Sequence, residues 1–414
     1  MKINDYRKPE LLAPAGSLET LKIAVLYGAD AVYIGGDHYG LRAKAKNFSL
    51  EDMALGIAFA HAHKVKVYVT ANIFAHNDDF NGMKDYFFAL QDMGVDAIIV
   101  ADPGVFSVAR QTIPDMEIHL STQANNTNYH SANFWINQGV KRIVVARELS
   151  LPEIREIYDH IPETIDLEAF VHGAMCMSYS GRCLLSNFMA NRDANRGECA
   201  QPCRWSYHVV EEKRPGEYMP LEETERGTFI YNSRDLCMIE YIPLLIESGI
   251  YSFKIEGRMK TPLYVATVVK AYRDAIDTFM RDPKEYEMKK GLFLEEVSKA
   301  SHREFTTGFY FHKPTSEDQT YTHNSYVRNY DFSGMVIDYN QETHIVTIEQ
   351  RRKFSVGDTV EILTPKGPCI RCTIDALWDK DGNSINAAPH PQQIVQFKVD
   401  QEIPVPSILR KEDC

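Results

Sequence analysis

Positive charge is in short supply in this chain. Against 57 Asp and Glu it sets 45 Lys and Arg, a formal net charge of −12 over 414 residues. Proteins that grip nucleic acid through its phosphates usually carry net positive charge or a basic face. The balance therefore argues against nonspecific nucleic-acid binding and leaves room only for a local basic patch, because the distribution of charge counts for more than its sum. Long apolar runs are missing too. The N-terminal MKINDYRKPELLAPAG has no apolar stretch of signal-peptide length, and no uninterrupted run is long enough to cross a bilayer. A soluble, cytoplasmic protein with no membrane partner is expected. No G-x-G-x-x-G follows the first strand-like run, which counts against a dinucleotide-binding sheet. Neither H-E-x-x-H nor a Ser-His-Asp arrangement is visible, so a peptidase would have to use a cysteine with His172, or a metal.

Cysteine is scarce overall, eight residues, yet half of it lies in one stretch, GAMCMSYSGRCLLSNFMANRDANRGECAQPCRW (173–205). Cys176, Cys183, Cys199 and Cys203 stand there among Gly, Ser, Asn and Arg, which fill cores poorly. Disulfides rarely persist in the cytosol, so the cluster reads as metal-binding or catalytic. Structural zinc sites favour two close C-x-x-C pairs. The looser spacing here suits a [4Fe–4S] cluster wrapped by a long loop, although soft thiolates serve zinc and iron–sulfur alike. A fifth thiol, Cys237, is placed at the start of a helix in NSRDLCMIEYIPLL. The lone C-x-x-C at Cys369 and Cys372 has no second pair and reads as strand.

Eight short apolar runs alternate with amphipathic segments. They are ELLAPAG (10–16), AVYIGG (31–36), KVYVTANIF (66–74), AIIVADPG (97–104), EIHLSTQAN (117–125), RIVVARELS (142–150), DLEAFVHGAM (166–175) and SFKIEGR (252–258). Val, Ile, Leu and Phe dominate them, as in strands buried on both faces. Ser17 before LETLKIAVL is an N-cap. Ser150 with Glu153 forms a capping box. This α/β pattern predicts a parallel (β/α)8 TIM-like barrel over residues 1–300. The cysteine-rich stretch becomes an insertion (173–235) after strand seven, on the face where barrel enzymes do their chemistry. Beyond a linker (301–326), residues 327–414 alternate apolar and polar positions with turn signals and predict a small antiparallel β-barrel domain.

Polar residues at the strand ends are the candidate site. Arg147, Arg182, Lys254 and Arg258 follow or end strands six to eight, where their side chains could converge on carboxylates. Gln123, Asn125 and Asn72 end strands five and three. On strand seven, alternation puts Glu168 and His172 on one face, with His172 the candidate acid–base. Arg351, Arg352 and Lys353 read as a solvated turn or a phosphate contact.

EAFVHGAMCMSYSGRCLLS resembles the signature of the collagenase-like peptidase family. NRGECAQPCRW, FKIEGRMK, HLSTQAN and LLAPAGSLETLKIAVLYGADAVYIGG are similar to its recurring blocks. ARELSLPEI, CRWSYHVVEEKRPGEYM and RKFSVGDTVEILTPKG resemble one branch, the prephenate-dependent tRNA wobble-uridine C5 hydroxylases. That resemblance implies an iron–sulfur enzyme that forms 5-hydroxyuridine, with prephenate as oxygen donor and the tRNA anticodon loop as partner. Related two-protein systems add a paralogous subunit to the expected partners. The ligands would be four of Cys176, Cys183, Cys199, Cys203 and Cys237, with Cys203 preferred to Cys237 as the fourth. Two other readings stay open, a collagenase-like peptidase and a noncatalytic RNA-binding subunit.

Overall fold

The structure, a computed structural model, describes residues 7–37, 39–40, 47–176, 179, 182–192, 194, 199–205, 208–209, 219–220, 232–313, 319–320 and 327–413. All eight apolar runs are strands: β1 (Glu10–Pro14), β2 (Ala31–Gly35), β3 (Lys66–Ala71), β4 (Ala97–Val100), β5 (Glu117–Leu120), β6 (Arg142–Val144), β7 (Asp166–Ala174) and β8 (Ile250–Ile255). They pair in parallel in that order. β8 then joins β1, with Glu10 opposite Ser252, as well as β7, and the sheet closes. β1, β2 and β4 are buried at every position, because helices cover them outside and side chains fill the barrel inside.

Helices follow the strands: α1 (Leu18–Leu26), α2 (Leu50–Ala62), α3 (Met83–Asp92), α4 (Pro103–Thr112), α5 (Tyr129–Asn137) and α6 (Leu151–Asp159). Ser17 caps α1 by accepting from the Thr20 amide, and Ser150 with Glu153 closes the capping box of α6. After β7 come α7 (Leu185–Ala190), within the cysteine stretch, and then α8 (Ile242–Glu247), α9 (Pro262–Arg281) and α10 (Pro283–Ser298).

Two expectations change at this point. Cys237 ends a short strand, Asp235–Cys237, instead of starting a helix. β6 pairs with only the first three residues of the nine-residue β7, and the upper part of β7 takes Asp235–Cys237 as an antiparallel partner. The described part of the expected linker is also docked. Phe305–Thr306 pairs with that same short strand, and Tyr310 donates to the Phe170 carbonyl. Residues 314–318 and 321–326 lie outside the described residues. In the polar stretch after the cysteines, His208–Val209 pairs antiparallel with Met219–Pro220.

The C-terminal region is an antiparallel sheet of eight strands that curls around its own apolar core, which includes Val336, Ile348, Phe354, Ile362 and Phe397. Its strand Ile345–Gln350 alternates half-buried and buried positions, the period-2 signal of the sequence. Buried bonds fix it to the barrel. Arg410, fully buried, pairs with Glu296 of α10 and Glu361 of the sheet, both at 2.7 Å. The Tyr27 hydroxyl donates to the Leu363 carbonyl at 2.6 Å, and Arg351 reaches Glu19 of α1 at 2.6 Å.

Candidate active site

The barrel interior is layered by charge. At the end where the strands begin, Arg142 is held by both Glu10 oxygens (2.5 and 3.2 Å), by Asp166 (3.3 Å) and by Glu168 (3.3 Å). Tyr68 and Ser252 each donate to Glu10 at 2.8 Å. One layer up, Lys254 donates to Glu168 at 2.6 Å. Burial opposes the charge on Glu10 and Glu168, yet neighbouring cations hold both pKa values below the ordinary carboxylate range. Arg142 does this for Glu10, and Lys254 with Arg142 for Glu168.

Above this plug, at the ends of the strands, opens a cavity of about 730 Å³, in the range of small-molecule sites. Cys176, Cys183, Cys199 and Cys203 all line it, as do Arg147, Lys254, Arg258, Asn72 and Gln123. Arg258 donates to the Thr70 hydroxyl at 2.8 Å and is almost fully buried. Gly35, which ends β2, leaves the space the guanidinium occupies, since a Cβ there would collide with Nη1 of Arg258. Arg147 lies over the Phe170 ring and donates to the Ala174 carbonyl at 3.0 Å and to Cys176 Sγ at 3.6 Å. Asn72 donates to Ser121 at 3.2 Å. The side-chain oxygens of Asn72 and Gln123 are buried and have no partner among the described residues.

The structure removes several sequence candidates from this cavity. Glu168 is not among its lining residues; it is a completely buried counterion of Lys254 and Arg142, with no open approach for a substrate. His172 leaves the face it was expected to share with Glu168. The β7–β8 ladder shifts register between Lys254 and Ile255, so that Phe170 faces Lys254 and His172 faces Ile255. The shift turns the imidazole outward among Tyr264, Tyr272 and Phe305, with ring centroids 5.5–6.1 Å away. Burial, with help from His302 and Lys260, pushes its pKa down to about 3. Arg182 is exposed and lies over the Phe74 ring instead of lining the cavity. Asn125 takes a left-handed turn conformation (φ 51°) and donates to the Gln123 carbonyl. Cys237 is buried in the barrel wall near the Tyr272 hydroxyl and is not among the residues that line the cavity, and burial pushes its thiol up to about 12. Cys369 and Cys372 flank and enter a strand of the C-terminal sheet, as expected.

The donor set suits a soft metal group. Four thiols border one cavity, and two of their sulfurs already accept hydrogen bonds, Cys176 from Arg147 and Cys199 from the Gln201 amide at 3.4 Å. Such donors are the usual neighbours of ligating thiolates. Among the described residues, no three His, Cys, Asp or Glu side chains are gathered to metal-binding spacing, and the segments between the cysteines lie partly outside those residues. Sequence reasoning missed Gly35, Thr70 and the contribution of the C-terminal sheet. The doubled glycine that ends AVYIGG was the one available signal for a close approach.

The chain is 47% identical to tRNA hydroxylation protein P1 of Bacillus subtilis (strain 168), a match covering 98% of this chain and 95% of that protein. It is 37% identical to tRNA hydroxylation protein P of Escherichia coli (strain K12), over 96% and 95% of the two chains. It is 36% identical to tRNA hydroxylation protein P2 of Bacillus subtilis (strain 168), over 74% and 98%. The model of peptidase family U32 matches residues 16–320, and the model of the C-terminal domain of that family matches residues 328–410. The chain therefore belongs to peptidase family U32 and carries the family's C-terminal domain.

Proposed function

We propose that this protein is a cytoplasmic RNA hydroxylase that converts wobble uridine of tRNA to 5-hydroxyuridine, with prephenate as oxygen donor and an iron–sulfur cluster as resident cofactor. The observation that carries this reading is the convergence of four cysteines with Arg147, Lys254 and Arg258 on one cavity at the barrel mouth. The names of the three relatives above, each a tRNA hydroxylation protein, support it. That P1 and P2 come from one organism supports a paralogous partner subunit.

Cys176, Cys183, Cys199 and Cys203 would hold the cluster, which supplies electron transfer when bound. Prephenate carries two carboxylates, and unpaired charge in a desolvated mouth is costly. Arg258 and Arg147 both line the cavity and carry planar guanidinium forks, the geometry that suits those carboxylates. The orphaned oxygens of Asn72 and Gln123 are acceptors suited to an N–H on the edge of a uracil base. A base in the single-stranded anticodon loop can be extruded at modest cost. Among the described residues no histidine lines the cavity, and His172 faces the other way.

Arg258→Ala should weaken prephenate binding. Loss of a charge-assisted hydrogen bond of about 1.5–3 kcal/mol corresponds to about ten- to a hundredfold. Titration of prephenate against hydroxylation of unmodified tRNA reads this directly, and iron content should be unchanged. Wild-type prephenate dependence in Arg258→Ala and Arg147→Ala alike would place the carboxylate site elsewhere. Prephenate isotopically labelled at its hydroxyl oxygen tests the donor itself. Label should appear in the modified nucleoside, and its absence would exclude prephenate as the oxygen source.

A further inference from the structure

The C-terminal sheet forms one wall of the cavity. Arg328, Tyr330, Asp331, Phe332, Arg351 and Arg352 all line it, although they lie far along the chain from the barrel strands. Because Arg410, Tyr27 and Arg351 fix the sheet to α10 and α1, this wall is part of the site and not a mobile cover.

Apart from Arg147 and Lys260, the cations of the cavity fall into two levels. Lys254 and Arg258 are buried at its floor. Those of the C-terminal wall stand at its rim, and they differ in how their charge is met. Arg351 is paired with Glu19 and Glu349, and Arg352 with Asp331. Arg328 is exposed and makes no ion pair or hydrogen bond among the described residues. In a protein of net charge −12, most of the surface repels a polyanion. The nearby carboxylate of Asp331 feels Arg328 but is already ion-paired with Arg352, and an exposed cation held by no ion pair of its own among the described residues is where a phosphodiester can come close. Tyr330 and Phe332 line the same wall, with Arg410 over the first ring and Arg351 over the second, and the remaining ring surface is one against which a base can stack.

We infer that the two levels divide the substrates by depth. The floor takes the small dianion. The C-terminal wall takes the RNA strand, with Arg328 on a phosphate that flanks the extruded nucleotide. This rests on the RNA-hydroxylase reading, and it adds that the appended domain contributes a contact inside the reaction site rather than a remote docking surface.

The test uses the full-length holoprotein and an unmodified anticodon stem-loop, with affinity measured over a range of salt concentrations. Arg328→Ala should weaken RNA binding roughly tenfold at low salt and lower the salt slope by about one. Arg328→Glu should weaken it further and Arg328→Lys should restore most of it, while prephenate affinity changes less than about twofold in each variant. Arg328 is exposed and makes no ion pair or hydrogen bond among the described residues, so it can be replaced without disturbing the fold, and all three variants report on binding. Wild-type RNA affinity and salt slope in Arg328→Glu would overturn the inference while leaving the hydroxylase reading intact. Parallel loss of prephenate affinity would move Arg328 to the carboxylate site and overturn it too. Failure of the wild-type protein to bind the stem-loop at all would overturn both readings.

Discussion

Alanine at Cys176, Cys183, Cys199 or Cys203 is expected to strip the protein of iron, whereas Cys237→Ala is expected to keep it. The four residues border one cavity, and a [4Fe–4S] cluster takes four thiolates, so loss of any one should drop iron from about four per chain to near background. Hydroxylation should fall with it. Cys237 sits apart in the barrel wall, opposite His172 and close to the Tyr272 hydroxyl. Its truncation removes one small buried group and should affect stability alone. Iron and sulfide analysis of anaerobically purified variants, with visible absorption, decides the matter. Iron retained in Cys203→Ala but lost in Cys237→Ala would overturn the choice of fourth ligand. A colourless wild-type protein with stoichiometric zinc would overturn the cluster.

The second large effect is on stability. Arg142→Met should destabilise the protein by about 3–5 kcal/mol, because it leaves Glu10 and Glu168 buried beside a missing cation. Both carboxylates are almost wholly excluded from water, and Glu168 keeps only Lys254. The double variant Glu10→Leu with Arg142→Met should recover part of the loss, since it removes an orphaned charge as well. The same pair sets a pH dependence. Glu10 and Glu168 have folded-state pKa values below the ordinary 4.5. As pH falls, the unfolded chain takes up protons before the folded one, so their stabilisation is complete above the ordinary carboxylate range and is lost below it. In Arg142→Met burial is left to raise the Glu10 pKa, so the loss should be greatest at neutral pH and shrink as the orphaned carboxylate takes up a proton. Urea unfolding at neutral and acidic pH measures both effects. A loss under about 1 kcal/mol at neutral pH that does not change on acidification would show that Arg142 does not hold the barrel floor together.

The fold was legible wherever local pattern and tertiary environment agree. Runs such as AVYIGG and AIIVADPG are apolar throughout because both faces of β2 and β4 are covered. The capping residues Ser17 and Ser150 mark helix starts through bonds made within three residues. The cysteine cluster stood out because its thiols are close in sequence and the loop gathers them at one cavity. What failed depended on register or on distant contacts. Alternation along β7 predicted that His172 would share a face with Glu168, but period 2 holds only in an unbroken ladder, and the shift at Ile255 breaks it. The charged residue of KRIVVAR looks like the polar flank of a strand. Only barrel closure reveals that Arg142 meets Glu10, at the other end of the sheet order. The C-terminal domain reads as a separate unit because its own strands alternate cleanly. Its share of the cavity comes from contacts across hundreds of residues, such as that between Tyr27 and Leu363, which no local pattern encodes.

The most direct measurement of the central claim is mass spectrometry of tRNA nucleosides from a strain that lacks this gene, complemented with the wild-type protein or with Cys176→Ala. The account predicts that 5-hydroxyuridine and nucleosides built from it disappear in the deletion, return with the wild type and stay absent with Cys176→Ala. An unchanged nucleoside profile in the deletion, with any paralogue also removed, would contradict it.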